Sequence, residues 1–163
     1  AIRDDDPVIF IEHKLLYMTQ GPVPDEEYVI PLGKADIKKP GRDATIITYS
    51  YMTLKCLEAA AALENEGISV EVIDLRTLTP LDTETILASV RRTGRAMVVH
   101  EACKRGGVGG DIAAMLMEEA YDDLDGPVVR VAGKNTPIPY NVAIEQACVP
   151  SVEDIVEGVL RML

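Results

Sequence analysis

Residues 44–49 read ATIITY, residues 69–75 SVEVIDL, residues 96–100 AMVVH and residues 127–132 PVVRVA. Each is a short apolar run rich in β-branched residues, the pattern of a strand buried on both faces. Amphipathic stretches lie between and after them: Tyr51 to Glu66, Leu81 to Arg92, Val108 to Tyr121 and Val152 to Leu163. Val152, Ile155, Val156, Val159, Leu160 and Leu163 fall on one helical stripe. Ser151 with Asp154 predicts a capping box at its start. Gly67 predicts the stop of the first helix, since glycine readily takes the left-handed conformation past a helix end. Strand alternating with helix makes the fold α/β: a three-layer, mostly parallel sheet flanked by helices.

Outward from this repeat the pattern weakens. Residues 133–150 hold three prolines and predict a loop, with a short helix near Val142 to Ala147. Toward the other end, Gly21-Pro22-Val23-Pro24-Asp25-Glu26-Glu27 reads as a linker. Before it, Val8-Ile9-Phe10-Ile11 is another continuous apolar run and predicts a further buried strand. Nothing ahead of it in this sequence supplies a neighbour, so the chain is expected to begin inside a larger structure.

Composition narrows the function classes. The net charge is −11, from 27 acidic and 16 basic residues, and such a surface repels nucleic acid and anionic lipid. Apolar residues form 47% of the chain, enough for a packed core and against disorder. No run approaches the roughly eighteen apolar residues of a membrane span, and Ala1 to Pro7 lacks the apolar core of a signal peptide. Cys56, Cys103 and Cys148 are scattered, which fits reduced thiols and excludes a C-x-x-C zinc site. His13 and His100 are too few for a multi-histidine metal site.

Several groups invite chemistry. Arg105-Gly106-Gly107-Val108-Gly109-Gly110-Asp111 leads from a strand into a helix, where amides can cradle a phosphate. Position 112 is Ile, no Walker lysine follows, and close packing of a helix on the sheet is the stronger reading. Asp74, Glu101 and Asp111 stand near strand ends, where open α/β sheets bind ligands. A structural role for Glu101 beside Arg76, Arg105 or Arg130 outweighs a catalytic one, and His100 reads as a satisfied structural residue. Asp4-Asp5-Asp6 before Pro7 forms an acidic corner whose oxygens suit a hard cation, set against a frayed terminus. Glu118 to Asp125 is the densest acidic run. Acids at a helix C-terminus oppose the macrodipole, so this run suggests a landing surface for a basic partner.

Taken together, AIRDDDPVIFIEHKLLY, IPLGKADIKKPGRDATIITYS, VEVIDLRTLTPLD, EACKRGGVGG and GKNTPIPYN resemble, in order and spacing, the C-terminal half of the 2-oxo acid dehydrogenase E1 β-subunit family. The implied fold is the transketolase C-terminal domain over residues 44–163. Residues 18–43 become a linker, and residues 1–17 the last piece of a pyrimidine-binding domain. The implied activity is oxidative decarboxylation of a 2-oxo acid, pyruvate first, in an α2β2 enzyme; acetoin and branched-chain members share the pattern. Thiamine diphosphate and Mg are implied for the whole enzyme and not for this chain, which is expected to be inactive alone. The implied partners are an E1 α subunit, a second β subunit and the peripheral subunit-binding domain of E2, in bacterial cytoplasm or the mitochondrial matrix. A potassium site is implied on Ala1, Ile2, Asp4 and Asp6. An E2 docking site is implied on Asp125, within Leu124-Asp125-Gly126-Pro127, and on the carboxylate of Leu163. A phosphate-binding α/β module and a self-associating structural domain are the alternatives from other classes.

Overall fold

The computed structural model describes all 163 residues. In chain order the elements are β1 (Asp36–Lys39), β2 (Ala44–Thr48), α1 (Met52–Asn65), β3 (Val70–Asp74), α2 (Thr83–Thr93) and β4 (Ala96–Cys103). They continue with α3 (Gly109–Glu119), β5 (Val129–Gly133), α4 (Val142–Gln146) and α5 (Val152–Leu160). Single 3-10 turns occur at Lys14–Leu16 and Tyr121–Asp123. One five-stranded sheet has the order β1-β3-β2-β4-β5. The four strands read from the sequence are parallel to one another, and β1 runs antiparallel at the β3 edge.

Neighbouring residues explain why these strands look continuously apolar. Side chains alternate across a sheet with period two. Ile46, Val72, Met97 and Val99 therefore enter a core with Met52 and Leu63 of α1 and Ile155 and Val159 of α5. Ile47, Ile73 and Val98 point the other way, into a second core with Ile86 of α2 and Ile112 and Leu116 of α3. With helices on both faces there is no polar side to the strand. Each fully buried isoleucine is stabilised by about 2–3 kcal/mol relative to exposure.

Local signals end the helices where the sequence says they should. Past α1, Gly67 sits at φ +82. The Ile68 N–H donates to the Leu63 carbonyl and the Gly67 N–H to the Glu64 carbonyl, which is the Schellman arrangement. Ser151 and Asp154 close the reciprocal capping box of α5. Gly158 lets that helix approach the sheet: a Cβ there would meet Met97 Sδ at 2.8 Å and Val131 Cγ2 at 2.9 Å.

Two expectations need correction. Strand β1 lies inside residues 18–43, the span assigned to a linker. The Asp82 carboxylate, which caps α2, also accepts the Ala35 N–H, so the sheet domain begins near residue 33. The strand expected at Val8 to Ile11 is absent as a strand. Those residues pair with no other strand, and Ile9 and Ile11 are 89% and 88% exposed. A strand needs a ladder partner as well as propensity, and this run is paired with none of the five strands.

Candidate functional site

The strand order reverses between β2 and β4, because β3 lies on one side of β2 and β4 with β5 on the other. The carboxyl ends of these two strands frame the topological switch point, the usual crevice for ligands in an open α/β sheet. Tyr49, Ser50 and Tyr51 leave β2 there, with Ser50 at φ +56; His100 and Glu101 lie toward the end of β4. His13, from the N-terminal segment, reaches into the same place. Its Nε2 lies 3.0 Å from Glu101 Oε2, and its ring stacks on Tyr51 at 5.1 Å. Glu101 thus meets a histidine and not the expected arginine: Arg76 pairs with Asp36, and Arg130 donates to the Lys104 carbonyl. Burial, and secondly the Glu101 charge, push the Tyr49 hydroxyl above the usual phenol range. The His13–Glu101 contact spans 88 residues, so only tertiary structure reveals it.

His100 is buried and fully engaged. The Gly109 N–H donates to Nε2 at 3.3 Å, which places the ring proton on Nδ1, within 3.0 Å of the Ala102 carbonyl. Burial holds its pKa below the ordinary histidine value. The glycines above it are there for space: a Cβ on Gly107 or Gly109 would meet the imidazole at 2.6 Å. At the start of α3, the Gly109 amide is committed to His100 and the Gly110 amide to the Gly107 carbonyl. The stretch is a close helix–sheet contact, with the first two amides of α3 already paired. Of the other carboxylates, Asp74 accepts the Arg76 N–H, and Asp111 is exposed on the first turn of α3.

The acidic run lies elsewhere, on the surface beyond the end of α3. Ala113, Met117, Tyr121, Leu124 and Asp125 line a groove of about 670 Å³. Arg91 holds Asp123 at 3.2 Å and donates to the Glu119 carbonyl, offsetting the acids at this helix end. Asp125 is 62% exposed, with Arg95 Nη1 at 3.7 Å from its Oδ2. The same guanidinium donates through Nε to the Met162 carbonyl at 2.9 Å. Arg95 therefore brings Asp125 and the turn before Leu163, distant in sequence, onto one face; Leu163 itself is half-exposed. The backbone reinforces this: the Asp125 N–H donates to the carbonyl of Gly94, which sits at φ +68 against the Asp125 carboxylate.

At the N-terminus, Ala1, Ile2, Asp4 and Asp6 are exposed, and Asp4 Oδ1 accepts the Asp6 N–H at 2.9 Å. No three His, Cys, Asp or Glu side chains converge to hold a metal ion anywhere in the chain. No helix is long and apolar enough to cross a membrane.

Comparison with known proteins agrees with this architecture. Residues 33–155 match the family model described as transketolase, C-terminal domain. Over its whole length the chain is 48% identical to the pyruvate dehydrogenase E1 component subunit beta of Bacillus subtilis (strain 168), covering 50% of that protein. It is 46% identical over 155 residues to the acetoin:2,6-dichlorophenolindophenol oxidoreductase subunit beta of Cupriavidus necator, 95% of this chain and 46% of that one. The chain thus spans about half the length of the curated relatives it matches. Among solved structures it is similar to a split-gene transketolase described as an inactive beta4 tetramer: TM-score 0.73, 33% identity, covering 82% of this chain and 43% of that one. With a matching domain model, a similar solved fold and relatives similar along the length of this chain, the chain belongs to the transketolase C-terminal domain family, in the branch that resembles 2-oxo acid dehydrogenase E1 β subunits.

Proposed function

We propose that this chain is the C-terminal part of the β subunit of a thiamine-diphosphate-dependent 2-oxo acid dehydrogenase E1, with pyruvate as substrate. In that reading it provides assembly contacts to an E1 α subunit and a second β subunit, and it docks the peripheral subunit-binding domain of E2. Thiamine diphosphate with Mg, held by the rest of the α2β2 enzyme, supplies the decarboxylation; this chain alone is inactive. A potassium ion on Ala1, Ile2, Asp4 and Asp6 belongs to the same reading, with its shell completed by residues outside the chain. The similarity to an acetoin oxidoreductase subunit supports acetoin as the second substrate reading.

One observation carries the docking role: Arg95 gathers Asp125 and the Met162 carbonyl beside an apolar groove. An exposed carboxylate next to Met117 and Leu124 gives a basic partner both a charge to meet and apolar surface to bury. Replacing Asp125 with Arg in the assembled enzyme is expected to weaken E2 binding at least about tenfold. Decarboxylation followed with an artificial electron acceptor stays near the wild-type rate. Unaltered E2 binding by calorimetry removes the docking assignment.

A further inference from the structure

The basic residues of this acidic chain are not spread evenly. Of its 16 Lys and Arg residues, nine reach a carboxylate within 4.0 Å. Seven find none, although 27 acids are available. Four of those seven, Lys104, Arg130, Lys134 and Arg161, line one groove of about 460 Å³ between β5, the start of α5 and the loop before it. This groove is separate from both the switch-point crevice and the Asp125 face.

That positive charge is only partly offset, since none of the four cations forms an ion pair. Two carboxylates border the groove. One oxygen of Asp154 accepts the Ser151 N–H within the capping box, and Glu157 lies within 4.0 Å of no basic group. Arg130 is held by a hydrogen bond to the Lys104 carbonyl, with its guanidinium 3.4 Å from where a Cβ on Gly110 would stand. That puts a fixed cation beside the start of α3, the end where the macrodipole disfavours positive charge. Its charge also contributes to keeping His100 neutral. An arrangement that costs stability in the free protein is relieved by an anion. The floor of the groove is buried, with Val131 and Cys148 at 9% and 8% exposure, and its size is in the range of small-molecule sites.

We propose that this groove binds a small free molecule bearing a di- or triphosphate, held by Lys104, Arg130, Lys134 and Arg161. Several cations around a concave site favour clustered phosphates over a single charge.

The test is calorimetric titration of the chain with ADP, pyrophosphate and adenosine. ADP and pyrophosphate are expected to bind at one saturable site whose affinity falls with added salt, and adenosine is expected not to bind. Lys134→Glu and Arg161→Glu, both exposed, are each expected to weaken ADP at least about tenfold with an unchanged circular dichroism spectrum. Arg91→Glu, a cation already paired with Asp123, leaves ADP binding as it was. Absence of ADP binding, adenosine binding as tightly as ADP, or equal ADP affinity in the groove variants overturns the proposal. So does sedimentation showing that the groove variants abolish self-association while ADP does not bind, since the groove then serves acids of a second copy.

Discussion

Ile9 and Ile46 sit in runs that look alike on paper, yet one is 89% exposed and the other fully buried. Residues 44–48 have β3 and β4 on either side and helices on both faces. Residues 8–11 have neither. Apolar composition and β-branching describe what a segment tolerates; a hydrogen-bonded neighbour and a covering layer decide what it becomes. In the N-terminal 32 residues Val8, Ile9, Phe10, Ile11, Val29 and Ile30 are all exposed large apolar side chains. So much apolar surface in one segment sets it apart from the sheet domain, whose large apolar side chains are mostly enclosed.

The sharpest way to break this contrast is a matched pair of truncations. Ile46→Ala is expected to cost about 4 kcal/mol in urea unfolding, because it opens a cavity in a closed core. Ile9→Ala is expected to leave the transition within about 0.5 kcal/mol. Equal losses would mean that the N-terminal run is packed in solution.

A smaller effect is expected where the two regions meet. His13→Ala removes the contact to Glu101 and the stack on Tyr51. The pair is about 30% exposed, so the expected loss of global stability is under about 1 kcal/mol. Limited proteolysis within residues 1–32 should accelerate while cleavage of the sheet domain stays unchanged. Uniform protection in the variant would show that other contacts hold the segment.

The second histidine gives the subtlest difference. His100 is buried as the neutral ring, with its pKa lowered by burial from 6.5. The unfolded chain therefore takes up a proton at a higher pH than the folded one. His100 contributes stability that is fully present above 6.5 and is lost as pH falls through its lower folded value. His100→Gln should flatten the acid limb of the stability profile measured by denaturant titration. The comparison is of slopes, since the substitution also changes packing.

The sequence made the sheet domain legible because strands β2 to β5 are buried on both faces and their helices carry clear stop and cap residues. Strand β1 was not legible: Asp-Ile-Lys-Lys is charged, partly exposed and antiparallel at an edge, where composition carries little signal. Asp125 stands out in sequence as the end of an acidic run, and Leu163 only through family resemblance. The residue that relates them, Arg95, resembles any surface arginine until the fold brings its two partners to it. His13 was likewise hidden, since a contact across 88 residues leaves no trace in local pattern.

Gly94 ends α2 with a positive φ, and the space its missing side chain leaves is filled by the Asp125 carboxylate. The two positions are therefore bound to drift together: any side chain added at 94 evicts the acid from its seat. Sequence change at a helix terminus would then surface twice, as strain where the backbone turns and as a displaced carboxylate on a neighbouring loop.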